Sequence, residues 1–178
     1  MSRCRFVTGP PGIGKTTAVL RAAERLRSQG LSVGGFVTLE RREGSRRTGF
    51  LVQDLASGER ALLAELGSEG TRVGRYRLVP EGLALARAAL LRALAETDAV
   101  ALDEVGPMEL KDADLREAIA AALSAEKPLF GSVHARVPDP LAERVRSQCA
   151  LLVLGHENRD RAPEWLARVV EEEHDGGA

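Results

Sequence analysis

The sequence predicts an α/β protein in three layers, a mostly parallel sheet covered by helices on both faces. Two observations carry this expectation. From Ala99 onwards, short apolar runs alternate with amphipathic or Ala/Leu-rich ones, the pattern of parallel strands joined by crossover helices. Near the start, a short apolar strand enters a Gly/Pro turn and then a segment with helical spacing. The 178 residues suit one domain, and with aromatics at 3% its core has to be aliphatic.

Arg5 to Thr8 is the first strand. Thr16 to Gln29 places Val19, Leu20, Ala22, Ala23 and Leu26 on one helical face, and Gly30-Leu31 supplies a left-handed stop with an apolar residue folding back. Val33 to Glu40 and Gly49 to Leu55 are the arms of a β-hairpin insertion near residues 33–55, with Arg41 to Thr48 as a long arginine-rich tip. A turn at Ser57-Gly58, an irregular Gly-rich stretch and a strand around Tyr76 to Val79 follow. Then come a helix at Glu81 to Glu96, a strand at Ala99 to Leu102, a helix at Asp112 to Ala125 and a strand at Leu129 to Val133. A helix at Pro140 to Ser147, a strand at Ala150 to Leu154 and a final helix at Pro163 to Glu173 complete the chain. One domain is expected over residues 1–174, with Asp175 to Ala178 as a disordered tail.

The net charge of −1 and the scattering of arginines among acids leave no electrostatic footprint for nucleic acid. No apolar run approaches the ~20 residues of a membrane span. The opening MSRCRFVTG lacks the apolar run of a signal peptide, so the cytoplasm is the expected compartment. Nothing names a protein partner, and a monomer or small homo-oligomer is expected. Cys4 and Cys149 lack metal-ligand spacing and read as buried reduced thiols. A disulfide is the alternative if the strands they precede are neighbours in a parallel sheet.

Gly9 to Thr16 reads GPPGIGKT and matches the P-loop pattern GxxxxGK[ST]. Gly9, Gly12 and Gly14 let the chain, with Pro10, Pro11 and Ile13, turn so that successive amides converge on phosphates at a helix N-terminus. Lys15 adds a point charge at the β- and γ-phosphates, the Thr16 hydroxyl is a magnesium ligand, and Thr17 assists at the α-phosphate. Asp103-Glu104, directly after an apolar strand, form a Walker B pair: Asp103 for the metal shell, Glu104 to polarise the attacking water. The bland alternative for such a pair is a solvated turn or a helix cap. Asp103 to Gly106 also fits the DxxG of GTPases. The NKxD that should follow is Asn158-Arg159-Asp160 here, with arginine for lysine and the aspartate one position early, so guanine selectivity is not supported.

The strand Leu129 to Val133 is expected between the P-loop and Walker B strands, with Ser132 or His134 facing the γ-phosphate. A loose transition state calls for further positive charge, for which Arg46, Arg47, Arg159 and Arg161 are candidates. Asn158 and Asp160 have a structural alternative as caps of the last helix.

FVTGPPGIGKTT, RRTGF (Arg46 to Phe50), DEVGPMEL (Asp103 to Leu110), the GSVH strand end and the terminal NRD resemble the small P-loop nucleoside-triphosphatases found from thermophilic prokaryotes to humans. The resemblance spans nearly the whole chain. It implies a three-layer P-loop fold and slow Mg2+-dependent hydrolysis of ATP, GTP, CTP or UTP to the diphosphate and phosphate, with little base preference. By the same resemblance Gly12 to Thr17 bind phosphate, Asp103 the metal and Glu104 the water, with further roles at Arg47, Glu109, Asn158 and Arg159. Two other functions share the P-loop: a small-molecule or nucleotide kinase, and a nucleotide-binding regulatory module with negligible turnover.

Overall fold

Phe6 and Val7 are adjacent in the first strand, β1 (Cys4–Thr8), and each is fully buried, in a different core. Successive strand residues point to opposite faces, so β1 must lie inside a sheet covered on both sides. The computed structural model of the chain, which describes residues 2–175, has this architecture. β1 is flanked by β8 (Leu129–Val133) and β9 (Ala150–Val153), and β8 is followed outward by β7 (Ala99–Val105) and β2 (Val33–Glu43), all parallel. β3 (Arg46–Asp54), β4 (Arg60–Leu66), β6 (Tyr76–Leu78) and β5 (Arg72–Val73) extend the sheet antiparallel beyond β2. The order is β5-β6-β4-β3-β2-β7-β8-β1-β9.

α1 (Lys15–Ser28) and α6 (Ala162–Asp175) cover one face, packing on Val7, Val37, Ala99, Ala101 and Phe130. α2 (Pro80–Glu96), α4 (Ala113–Ser124) and α5 (Pro140–Gln148) cover the other, over Phe6, Phe36, Val100, Leu102 and Val133. Along β7 the residues alternate between the two cores, which is why its sequence is apolar without a break. The stop of α1 is as expected. Gly30 has φ +85°, its amide donates to Arg27 O at 3.0 Å, and the Leu31 amide donates to Leu26 O at 3.1 Å.

Four features differ from the sequence reading. The arginine-rich tip is not a long loop: Arg41, Arg42 and Glu43 pair with Gly49, Arg47 and Arg46, and the chain turns at Gly44-Ser45. Charged residues satisfy a ladder as well as apolar ones where both faces meet water. β4 falls where the sequence offers only a turn and an irregular stretch: RALLAEL has no β-branched or aromatic residue, and its pairing on both edges overrides that weak propensity. β7 runs on through Asp103, Glu104 and Val105, with a register irregularity after Leu102, and a short helix α3 (Pro107–Lys111) follows. The last helix continues to Asp175, and residues 176–178 of the expected tail lie outside the described residues. Among the described residues no helix is long and apolar enough to cross a membrane.

The expectation of reduced thiols is corrected. Arg5 pairs with Ala150 in neighbouring parallel strands, so Cys4 and Cys149 start side by side, their Cα atoms 4.9 Å apart, and they form a disulfide. It closes a sequence separation of 145 residues, and a loop that long restricts the unfolded chain strongly. Replacing Cys4→Ser together with Cys149→Ser should lower the unfolding free energy by about 2–5 kcal/mol in urea titrations. Thiol titration of denatured, unreduced wild-type protein should detect no free cysteine.

Candidate active site

The loop from Gly9 to Gly14 joins β1 to α1. Gly12 and Gly14 have φ of +78° and +113°, and a Cβ at either would meet nothing within 4 Å, so backbone conformation and not space demands glycine there. α1 has no acidic residue in its first turn, which leaves its positive end uncompensated. Lys15 Nζ folds over the loop, donating to Gly9 O at 2.7 Å and Pro10 O at 3.4 Å.

Opposite stands Asp103, 1% exposed. Thr16 Oγ1 donates to its Oδ2 at 2.8 Å, the Thr38 amide reaches the same oxygen at 3.4 Å, and Ser132 Oγ donates to Oδ1. Burial raises the Asp103 carboxyl above the usual carboxylate range, with the hydrogen bonds from Ser132, Thr16 and Thr38 and the Lys15 charge opposing the rise only in part. β8 lies between β1 and β7 as expected, and this is how Ser132 comes to touch Asp103.

Glu104 Oε2 lies 3.9 Å from Lys15 Nζ. Burial, and then the Asp103 charge, raise its carboxyl to about 7, with Lys15 pulling the other way. Behind it Glu109, on α3, is 4% exposed and accepts from Thr38 Oγ1 at 3.2 Å. Burial, followed by the Glu104 charge, raises Glu109 to about 8. Two carboxyls this close cannot both ionise cheaply, so near neutral pH one of the pair retains a proton. Gly106 allows their approach, because a Cβ there would stand 2.6 Å from Glu104 Oε1 and 3.2 Å from Glu109 Oε2.

His134 follows β8 at the same sheet edge. Its Nδ1 accepts from the Arg136 and Val137 amides at 3.1 and 3.0 Å, which places the proton of the neutral ring on Nε2. Burial, then Lys15 and Arg146, lower its pKa and favour that neutral ring. On the other side of the loop is a cleft of about 330 Å³ lined by Gly12, Ile13, Gly14, Thr17, Ala18, Arg21, Arg159, Asp160 and Pro163.

A P-loop whose threonine meets the Walker B aspartate, with the acid one position later facing the P-loop lysine, is the geometry of nucleotide hydrolysis. Comparison with known proteins agrees. The sequence model of a family described as NTPase matches residues 4–167. The nucleoside-triphosphatase THEP1 of Thermofilum pendens is 43% identical over 170 residues, 93% of each chain. The crystal structure of THEP1 from the hyperthermophile Aquifex aeolicus superposes with a TM-score of 0.81 at 29% identity, covering 94% of this chain and 99% of that one. The solution structure of a human cancer-related nucleoside triphosphatase gives 0.78 at 33% identity, covering 96% and 98%. The chain belongs to the THEP1 nucleoside-triphosphatase family. Its class is thereby an enzyme, a nucleotide-binding hydrolase built on a P-loop.

In this NTPase the residues present fit a divalent cation. Thr16 Oγ1 and Asp103 Oδ2 are hard oxygen donors already in contact. Among the described residues no cluster of three or more His, Cys, Asp or Glu could enclose a metal, so a cation held here would need further oxygen donors from the nucleotide and water.

The other sequence candidates are scattered. Arg159 lines the cleft beside the loop, as does Thr17. Asn158 does structural work, its Oδ1 accepting from Gly155 N at 2.8 Å and its Nδ2 donating to Val153 O at 2.9 Å. Arg47 is not brought to Lys15. Its strand partner Arg42 lies five residues beyond Val37, the partner of Asp103, about 16 Å along the strand. There it donates to Tyr76 Oη at 3.0 Å and Glu40 Oε1 at 3.2 Å. Arg46 and Arg161 are exposed. Thr38 was missed. The available signal was a lone hydroxyl residue in the apolar strand next to the Walker B strand.

Gly106→Ala tests the stacked carboxylates. The backbone there is extended, φ −140°, so alanine is conformationally acceptable, and the added methyl must displace Glu104 or Glu109. Turnover should fall at least tenfold while nucleotide affinity in a direct titration changes little.

Proposed function

We propose that this NTPase hydrolyses ATP, GTP, CTP and UTP to the diphosphate and phosphate, using Mg2+ and discriminating little between bases. The observation that carries the reading is the 3.9 Å pairing of Lys15 with Glu104, beside the Thr16–Asp103 contact, at the C-terminal edge of parallel strands. Ligands bind at that edge in open α/β sheets.

The loop amides and Lys15 hold the β- and γ-phosphates and draw charge off the leaving oxygen. Mg2+, bound through Thr16 and Asp103, would neutralise phosphate charge. Glu104 accepts the proton of the water that attacks phosphorus, and for this it must be ionised. Of the two coupled carboxyls Glu104 is the one that meets Lys15, which places it as the carboxylate that acts. Ser132 is committed to Asp103, so the Nε2 proton of His134 is the donor left to meet the γ-phosphoryl. A water-directed carboxylate next to the metal aspartate favours hydrolysis over transfer to a kinase acceptor.

Glu104→Gln should retain nucleotide binding and lose about 10²–10⁴-fold in kcat, whereas Lys15→Ala should weaken binding itself. Phosphate should be released from MgATP without any acceptor; release only on adding an acceptor would mark a kinase. Because the raised Glu104 carboxyl must be deprotonated, kcat should fall as pH drops through about 7. A bound cation favours the ionised form and moves that limb lower, and Glu104→Gln should abolish it.

A further inference from the structure

Beyond the phosphate site, the cleft across the P-loop has an unusual inventory. Arg21 stands on α1 four residues after Thr17, on the same helical face, and Arg159 opens the short 3-10 turn Arg159–Arg161 after β9. They approach the cleft from two elements. Most guanidinium groups among the described residues are tied to acids or carbonyls, as with Arg5 on Glu172, Arg116 on Asp139 and Arg146 on His134 O. Arg21 and Arg159 are exposed and have no side-chain partner there.

Apart from the two arginines the cleft is lined by glycine, isoleucine, alanine and proline, with Thr17 beside the phosphate loop and one carboxylate, Asp160. A carboxylate only accepts, and each of the four bases carries an N–H on its edge, so Asp160 alone does not tell them apart. The nearby side chain suited to pairing with a purine edge, Asn158, has both amide groups engaged, on Gly155 N and Val153 O. Those bonds brace the segment that carries Arg159, so Asn158 positions the arginine and leaves the base alone. A guanidinium plane, by contrast, stacks on any π-face, and every nucleobase has one.

We propose that Arg21 and Arg159 hold the nucleobase by its faces, making the cleft a base-binding site that does not distinguish purines from pyrimidines. The proposal rests on the hydrolytic reading above and explains its low selectivity. Affinity comes from stacking, so it varies little with the pattern of donors and acceptors on the base edge.

The test compares Arg21→Ala, Arg159→Ala and Arg159→Lys with wild type on ATP, GTP, CTP and UTP. Inorganic tripolyphosphate, which has no base, serves as a competitor of MgATP at about 0.15 M salt, where distant charges are screened. Each alanine variant should raise KM about three- to tenfold on all four nucleotides, with kcat within twofold and the tripolyphosphate inhibition constant unchanged. Arg159→Lys should behave like Arg159→Ala, because lysine keeps the charge and loses the plane. Several results would overturn the proposal: a parallel rise in the tripolyphosphate constant, rescue by lysine, a loss confined to one base, or no change. Failure of tripolyphosphate to compete in wild type would do the same. Absence of wild-type turnover on every nucleotide would instead remove the hydrolytic reading, so the two failures are distinguishable.

Discussion

The buried carboxylate of Asp103 is the interaction on which the site depends. Three elements converge on it: the start of α1 through Thr16, β2 through the Thr38 amide, and β8 through Ser132. A carboxylate at 1% exposure is costly unless hydrogen-bonded, and here the bonds that satisfy it also tie the end of β7 to the P-loop helix through Thr16 and to both neighbouring strands through Thr38 and Ser132. The parallel order β2-β7-β8-β1 is what brings those donors together. Were β1 beside β7, Ser132 could not stand between them.

Burial raises the acids around Asp103 too, and there less opposes it. Glu104 and Glu109 lack a comparable set of donors, so burial and mutual repulsion raise both into the neutral range, to about 7 and about 8. Asp103 is raised by burial as well, but it differs in having three hydrogen-bond donors that oppose the rise. Neighbouring carboxylates differ in role because their hydrogen bonds differ. Gly106 makes the arrangement possible through the absence of a side chain, a contribution visible only when a Cβ is placed against both carboxylates.

The legible parts were those encoded locally. GPPGIGKT needs only its own glycines and the helix after it, and β8 and α2 declare themselves by composition. What the sequence did not disclose depends on distant partners. β4 is a strand because β3 and β6 flank it, not because RALLAEL prefers to be one. The extent of β2 and β3 is set by a ladder that carries arginine as readily as valine. Cys4 and Cys149 meet through strand order, which became evident only with β9 beside β1. Arg47 is a candidate both from the charge a phosphoryl transition state needs and from the resemblance, yet its strand register places it with Glu40 and Tyr76.

That placement bears on the chemistry. The transferring phosphoryl group has a loose, highly charged transition state, and positive charge around it sets the rate. Among the described residues Lys15 is the side-chain cation facing Glu104. Arg47 is held along the hairpin, Arg146 is spent on the His134 and Val137 carbonyls, and Arg21 and Arg159 stand on the other side of the loop. On the mechanism proposed above, stabilisation would fall to the loop amides, Lys15 and a cation held at Asp103, with these guanidinium groups engaged elsewhere. P-loop enzymes gain about 10³–10⁵ in kcat when such an arginine arrives. For the hydrolysis proposed above, the arginines of this NTPase are thus held where they add little to that charge.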